Sequence, residues 1–190
     1  MEEKIQIFIP DGSYDNETVS AKDFESKLCQ QLKSIEDKEV KISPLTEANI
    51  GSGADWPSFM AEIIPLGPYA GGLALFFLGK TINENLDAWV AIGGKIARII
   101  QLVGGRLNRG AALLVALFKA KEQVAKMRTV KILQYETLDR RFIENIEKII
   151  VEKKDFISDE IAEEYRGDRI NYFRLKVDDV ELEFIIKESD

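Results

Sequence analysis

The sequence predicts a mixed α+β chain, and three observations predict it. Residues Ile5, Ile7 and Ile9 alternate with Gln6 and Phe8 as in a buried strand, the middle of the chain carries apolar residues at helical spacing, and the last twenty residues read as a β-hairpin. The expected order is an N-terminal strand–helix–strand, an apolar glycine-rich helical middle, and a C-terminal helix followed by a β-hairpin.

In the N-terminal section, Pro10-Asp11-Gly12 ends the first strand with turn chemistry. Ser20 opens a helix, with Asp23 in the place of a capping-box acid, and Phe24, Leu28, Leu32 and Ile35 form one apolar stripe. Cys29 lies beside that stripe as a small buried hydrophobe. A second strand spans Glu39 to Ser43, and Pro44 ends it. Residues Asn49 to Ser58, with two glycines, an aspartate and a proline, make a shaped loop that either links sections or presents Trp56 for recognition.

The composition then changes. Only eight of the 62 residues from Pro57 to Phe118 are charged, and five of those eight are basic. The middle is therefore weakly positive, while the flanks carry the excess acid of a chain whose net charge is −7. Ile63 to Gly79 is an uncharged run of 17 residues, near the lower limit for a membrane span. Pro65 and Pro68 shorten its helical part to about Tyr69–Leu78, which suits a buried core helix. Thr81-Ile82-Asn83-Glu84 has the form of a capping box for a second helix, whose apolar face is Leu86, Trp89, Val90, Ile92, Ile96, Ile99, Ile100 and Val103. Gly93-Gly94 and Gly104-Gly105 mark either close helix–helix approach or, at the second pair, the helix end. Lys95, Arg98, Arg106 and Arg109 recur at helical steps as one basic stripe, which pairs with the acidic flanks, faces solvent, or meets an anionic partner. Ala111 to Phe118 is apolar all round and reads as buried.

The C-terminal section begins with a strand from Val130 to Tyr135. Thr137 or Asp139 then caps a helix carrying Phe142, Ile143, Ile146, Ile149 and Ile150 on one face, and Ser158 opens a short helix to Tyr165. Arg169–Val177 and Val180–Lys187 form the hairpin around Asp178-Asp179. Three sections follow: residues 1–48, 49–128 and 129–190, of which the first and last can join as one compact unit.

The absence of histidine removes the commonest general base, the usual triads and most zinc sites, and one cysteine permits no internal disulfide. A pI near 4.9 argues against nucleic-acid binding. The Gly51-Ser52-Gly53 triplet lacks the lysine of a phosphate loop. Glu39-Val40-Lys41 matches part of a magnesium-nuclease pattern without the upstream acid, and Asp178-Asp179 is explained by its turn. The expectation is a cytoplasmic protein, in one reading peripheral to a membrane, that is no enzyme and holds no cofactor or metal. Its interaction residues would be Trp56, Trp89, Gly93, Gly94, Gly104 and Gly105, with Lys95, Arg98, Arg106 and Arg109 for an anionic partner.

The opening strand–helix–strand, the glycine-containing loop, Gly72-Leu73-Ala74-Leu75 and the helix bearing Asp87-Ala88-Trp89-Val90 resemble small effector-associated accessory components of bacterial conflict and anti-phage systems. The resemblance covers residues 4 to 100 and rests on element order; the long middle and the C-terminal hairpin depart from it. It implies a non-enzymatic role in coupling, scaffolding or restraining an effector. Three function classes stay open. The first is an interaction protein that binds itself or another protein through residues 57–118. The others are a membrane-acting helical hairpin and a histidine-free enzyme using carboxylates.

Overall fold

The structure is a computed structural model that describes residues 5–10, 21–47, 58–66, 72–103, 106–138 and 170–187. It is a mixed α+β protein. The described elements run β1 (Ile5–Pro10), α1 (Ala21–Lys33), β2 (Val40–Ile42), β3 (Thr46–Glu47), β4 (Ser58–Pro65), α2 (Leu73–Phe77), α3 (Leu86–Val103), β5 (Arg106–Leu107), α4 (Arg109–Gln123), β6 (Val130–Leu138), β7 (Ile170–Val177) and β8 (Val180–Lys187). The first five strands form one antiparallel sheet, ordered β2-β4-β1-β5 with β3 also on β4, and the last three form a second, ordered β6-β7-β8.

β1 and β4 are the heart of the first sheet. Ile5 and Ile7 are buried, as their alternation requires, and Gln6 faces the other way, donating to the Glu62 carboxylate at 2.8 Å. Gln6 and Glu62 are direct cross-strand partners, so one register bond fixes the pair. β4 departs from the expected helical middle. The compositional change at Pro57 suggests a new section there, yet Ser58–Pro65 pairs with β1 and β2 of the N-terminal section. The signal is in Phe59, Ala61 and Ile63, all buried, between half-buried Met60 and Glu62. That is the two-residue period of a strand.

In α1, Leu28 and Leu32 are buried, and Ile35 is buried in the turn that follows; the side chain of Phe24 lies outside the described residues. α3 begins later than the capping box suggests. Residues Thr81 to Asn83 are extended, and Ile82 exchanges two backbone hydrogen bonds with Val130, 2.8 and 2.9 Å. Asn85, at φ 58°, turns the chain into the helix, and its carbonyl accepts from Trp89. Asparagine tolerates that left-handed conformation better than most residues.

α4 is the element around which the rest is arranged. Every residue from Gly110 to Leu117 is buried, as is Ala120. It meets β1 and β5 of the first sheet, β7 and β8 of the second, and α3 along its length. Asn108 caps it, accepting from the Ala111 N–H at 2.9 Å, while its own N–H donates to the Gln6 carbonyl of β1. The cap therefore also ties the helix to the sheet.

The hairpin follows its predicted course within one residue. Phe173 faces Phe184 and Leu175 faces Leu182, with Phe173, Leu175, Val177, Phe184 and Ile186 buried. Asp178 adopts φ 51° at the turn. β6 is longer than expected and runs through Thr137 to Leu138, so Thr137 is a strand residue and no helix cap. The predicted helices after Asp139 lie outside the described residues.

The close approach expected of the glycines is made inside this chain. A Cβ on Gly93 would stand 2.6 Å from the carbonyl carbon of Leu114 and closer still to its oxygen. A Cβ on Gly94 would stand 3.1 Å from the Phe118 ring. The backbone of α4 cannot yield without moving a helix held on four sides, whereas the half-buried Phe118 ring can rotate. Gly93→Ala therefore destabilises the protein by about 1–3 kcal/mol despite its better helix propensity. Gly94→Ala stays within about 1 kcal/mol of wild type, because the propensity gain offsets the ring displacement. Denaturant melts of the two variants check the contrast, and equal losses would contradict it.

Candidate interaction surface

The predicted site residues do not converge. Trp56, Gly104 and Gly105 lie outside the described residues. Trp89 is 2% exposed and belongs to the core, which corrects its assignment to a surface. The Gly93 face is occupied by α4, so it offers no docking face for another chain; the reason is the steric requirement for two helices to touch at their backbones.

The basic residues do not form one stripe either. α3 ends at Val103, Arg106 sits in β5 opposite Phe8, and Arg109 opens α4. The helical spacing is interrupted between the second and third members. Of the two basic residues on α3, Arg98 is exposed and Lys95 half-buried. Lys95 reaches the turn between α1 and β2, where its ammonium donates to Asp37 and, at 3.0 Å, to Glu39. It thus pairs a basic residue of the middle with two acids of the N-terminal flank. The hydrogen bond from Lys95 is the main cause that holds the Asp37 carboxyl below its usual range, ahead of the opposing loss of solvent. Burial pulls the Lys95 ammonium down, but its bonds to Asp37 and Glu39 together outweigh that and leave its pKa raised. Asp37 also accepts from the backbone N–H groups of Glu39 and Val40, so the pair fixes the entry to β2.

The surface feature that sequence reasoning missed is α2. The run Leu73–Leu78 was expected as part of a buried core helix. Leu73 and Phe76 do point inward, but Leu75 is 37% exposed and Leu78 is 72% exposed. A helix of five residues has one inward face, and residues i and i+3 on the other side stay outside. Lys80, exposed two residues beyond Leu78, is the signal that this end meets water.

α2 is held firmly for so short a helix. Gly72 enters it at φ 99° and Gly79 leaves it at φ 71°, conformations that glycine adopts without strain. The Gly79 N–H donates to the Phe76 carbonyl at 2.9 Å and the Lys80 N–H to the Leu75 carbonyl at 3.3 Å. This is the hydrogen-bond pattern of a Schellman cap. Phe77 then stands edge-on to Tyr135 of β6, 5.2 Å between ring centroids, and Tyr135 stacks on Phe173 at 5.0 Å. The Arg109 guanidinium lies 4.7 Å over the Phe77 ring, a cation–π contact that ties the start of α4 to α2. The Tyr135 hydroxyl bonds Thr137 and the buried Asn171, so the stack is anchored at its polar end too. The outcome is an apolar ridge of Leu75 and Leu78, with exposed Lys80 two residues beyond Leu78.

Among the described residues, no group of three or more acidic or cysteine side chains could hold a metal ion, and no helix is long and apolar enough to cross a membrane. A cleft of about 220 Å³ beside Cys29 has an apolar floor of Leu32 and Ile42. A wider polar cleft of about 400 Å³ lies at Lys126, Arg128 and Asp178. In the latter, the Asp178 carboxylate accepts from the N–H groups of Arg128 and Thr129 and from the Thr129 hydroxyl. Loss of solvent raises its pKa, but these bonds outweigh that and hold it low. Its work is to tie the hairpin turn to the segment before β6.

The Lys95 clasp has a defined pH window. Asp37 has a depressed folded pKa, so its contribution is complete above the unfolded value of about 3.9 and is lost as pH falls through the folded value. Lys95→Gln lowers stability at pH 7 by about 1 kcal/mol or less, the range for partly exposed ion pairs. The deficit shrinks once the pH falls below the ordinary aspartate range. Thermal melts of both proteins at pH 7 and pH 3 check this; a deficit unchanged at pH 3 would show that lost packing, not charge, causes it.

No protein-family model, curated protein or solved structure matches this chain, so the chemistry of its own surface carries the functional reading.

Proposed function

We propose that this chain is a non-catalytic interaction protein that binds another protein through the outer face of α2. The observation that carries the reading is Leu78, 72% exposed at the end of a helix fixed by a Schellman cap and an aromatic stack. Isolated exposed leucines are ordinary. A pair held on a rigid short helix loses little conformational freedom on binding, which is the property of a good anchor. Exposed Lys80 follows Leu78 by two residues, so the complementary surface is apolar with an acidic group beside it. The reading narrows the interaction site from the whole middle to its first helix. It accords with the coupling or scaffolding role that the resemblance to defence-system accessory components implies, in the cytoplasm or beside a membrane.

A photo-crosslinking amino acid at position 78, in the cells that make the protein, tests this. One discrete protein adduct is expected at position 78 and none at position 98 on α3, and Leu75→Asp removes the adduct without lowering the melting temperature. The same adducts at both positions, or none at 78, would overturn the reading. Flotation of the purified protein with anionic vesicles, lost in Leu78→Asp, would replace it with the membrane reading.

A further inference from the structure

We infer that Leu133 of β6 extends the α2 surface, and that the partner seated there is an acidic segment of another protein. The inference rests on the α2 reading and adds to it a third apolar anchor and the partner's charge.

The first observation is a bulge. Ile132 faces Leu175 and Gln134 faces Arg174, so three residues of β6 meet two of β7, and Leu133 is the extra one. Its removal would leave the pairing of β6 with β7 continuous. Ile132 beside it is buried, whereas Leu133 is 40% exposed. The strand does not need this leucine for pairing, and the core does not enclose it. A bulge re-aims a side chain, and here the one it re-aims is a large apolar group directed to the surface.

The second observation is where the bulge lies. α2 rests against β6, and two contacts bound the chain that leaves it. Phe77 meets the Tyr135 ring, and Ile82 exchanges backbone hydrogen bonds with Val130 in an antiparallel bridge. The step from Val130 to Tyr135 is as long as the step from Ile82 back to Phe77, so Leu78 and Gly79 pass beside Leu133 and Gln134. Leu75, Leu78 and Leu133 are thereby exposed leucines of one neighbourhood.

The charge of the occupant follows from the residues around them. Lys80 follows Leu78 by two residues and Lys131 precedes Leu133 by two, both exposed. Lys131 stands directly opposite Lys176, also exposed, and like charges so placed repel. Glu181 lies across from Lys176 on the other side, but its carboxylate accepts from Arg174 at 3.0 Å. Arg174 also lies 3.8 Å from Glu183. The lysine pair therefore shares a carboxylate already held by a third cation, and an acidic group on the partner would relieve its repulsion.

A photo-crosslinking amino acid at position 133, in the cells that make the protein, is expected to capture the same protein as at position 78. Leu133→Ser, and deletion of Leu133, lower the adduct at 78 by about fivefold or more without lowering the melting temperature. Lys131→Glu separates binding from folding. It places a carboxylate opposite Lys176, so the melting temperature holds or rises, while the adduct at 78 falls by about fivefold or more because the acidic partner is repelled. An adduct at 78 with none at 133, or one indifferent to Leu133→Ser, overturns the inference and leaves the α2 reading standing. None at 78 overturns both. An adduct unchanged by Lys131→Glu overturns the acidic partner, and one of twice this chain's mass makes the occupant a second copy and overturns the assignment to another protein.

Discussion

The constraint on which the structure depends is that α4, from Gly110 to Leu117, has no polar side to give to water. A helix that is apolar around its full circumference must be enclosed by other elements. Here the enclosure is made by β1 and β5 on one side, β7 and β8 on another, and α3 along its length. The small side chains of Gly110, Ala111, Ala112, Ala116 and Ala120 let these neighbours approach, while Leu113, Leu114 and Leu117 fill the spaces between them. Among the described residues the two sheets share no hydrogen-bonded strand, and α4 meets strands of both within one continuous core.

Enclosing α4 uses up features that, in isolation, suggest an interface. Gly93 gives up its side chain so that α3 can reach the Leu114 carbonyl, and Trp89 spends its large surface in the same core. The charge contrast along the sequence is also partly satisfied within the chain, since Lys95 of the weakly basic middle meets Asp37 and Glu39 of the acidic flank. What remains exposed among the described residues includes the outer side of α2, which is too short to be covered on both faces.

Much of the fold was legible in the sequence because periodicity is local. The alternation at Ile5 and Ile7, the helical stripe of Leu28 and Leu32, the all-apolar stretch of α4 and the Asp178-Asp179 hairpin each announce their structure within a few residues. β4 was not legible in the same way. The uncharged run from Ile63 to Gly79 drew Ile63 into a presumed helical section, and the short alternation of Phe59, Ala61 and Ile63 is completed as a strand by pairing with β1, more than fifty residues away. The capping-box letters at Thr81–Glu84 misled for a related reason: the backbone groups of Ile82 found a better partner in Val130. The basic stripe failed because its spacing assumed one unbroken helix, whereas β5 intervenes between Arg98 and Arg109. The exposed ridge of α2 could have been suspected from Lys80 and from the glycines at both ends, which limit the helix to a little over one turn.

The position of the α2 ridge follows from the same arrangement. Phe77 of α2 leans on Tyr135, Tyr135 on Phe173, and Phe173 pairs across to Phe184 of β8. The ridge therefore stands at one end of an aromatic row that crosses the second sheet, with Arg109 at the start of α4 over the Phe77 ring. A row of packed rings transmits position well, because dense interiors have few voids into which a ring can retreat.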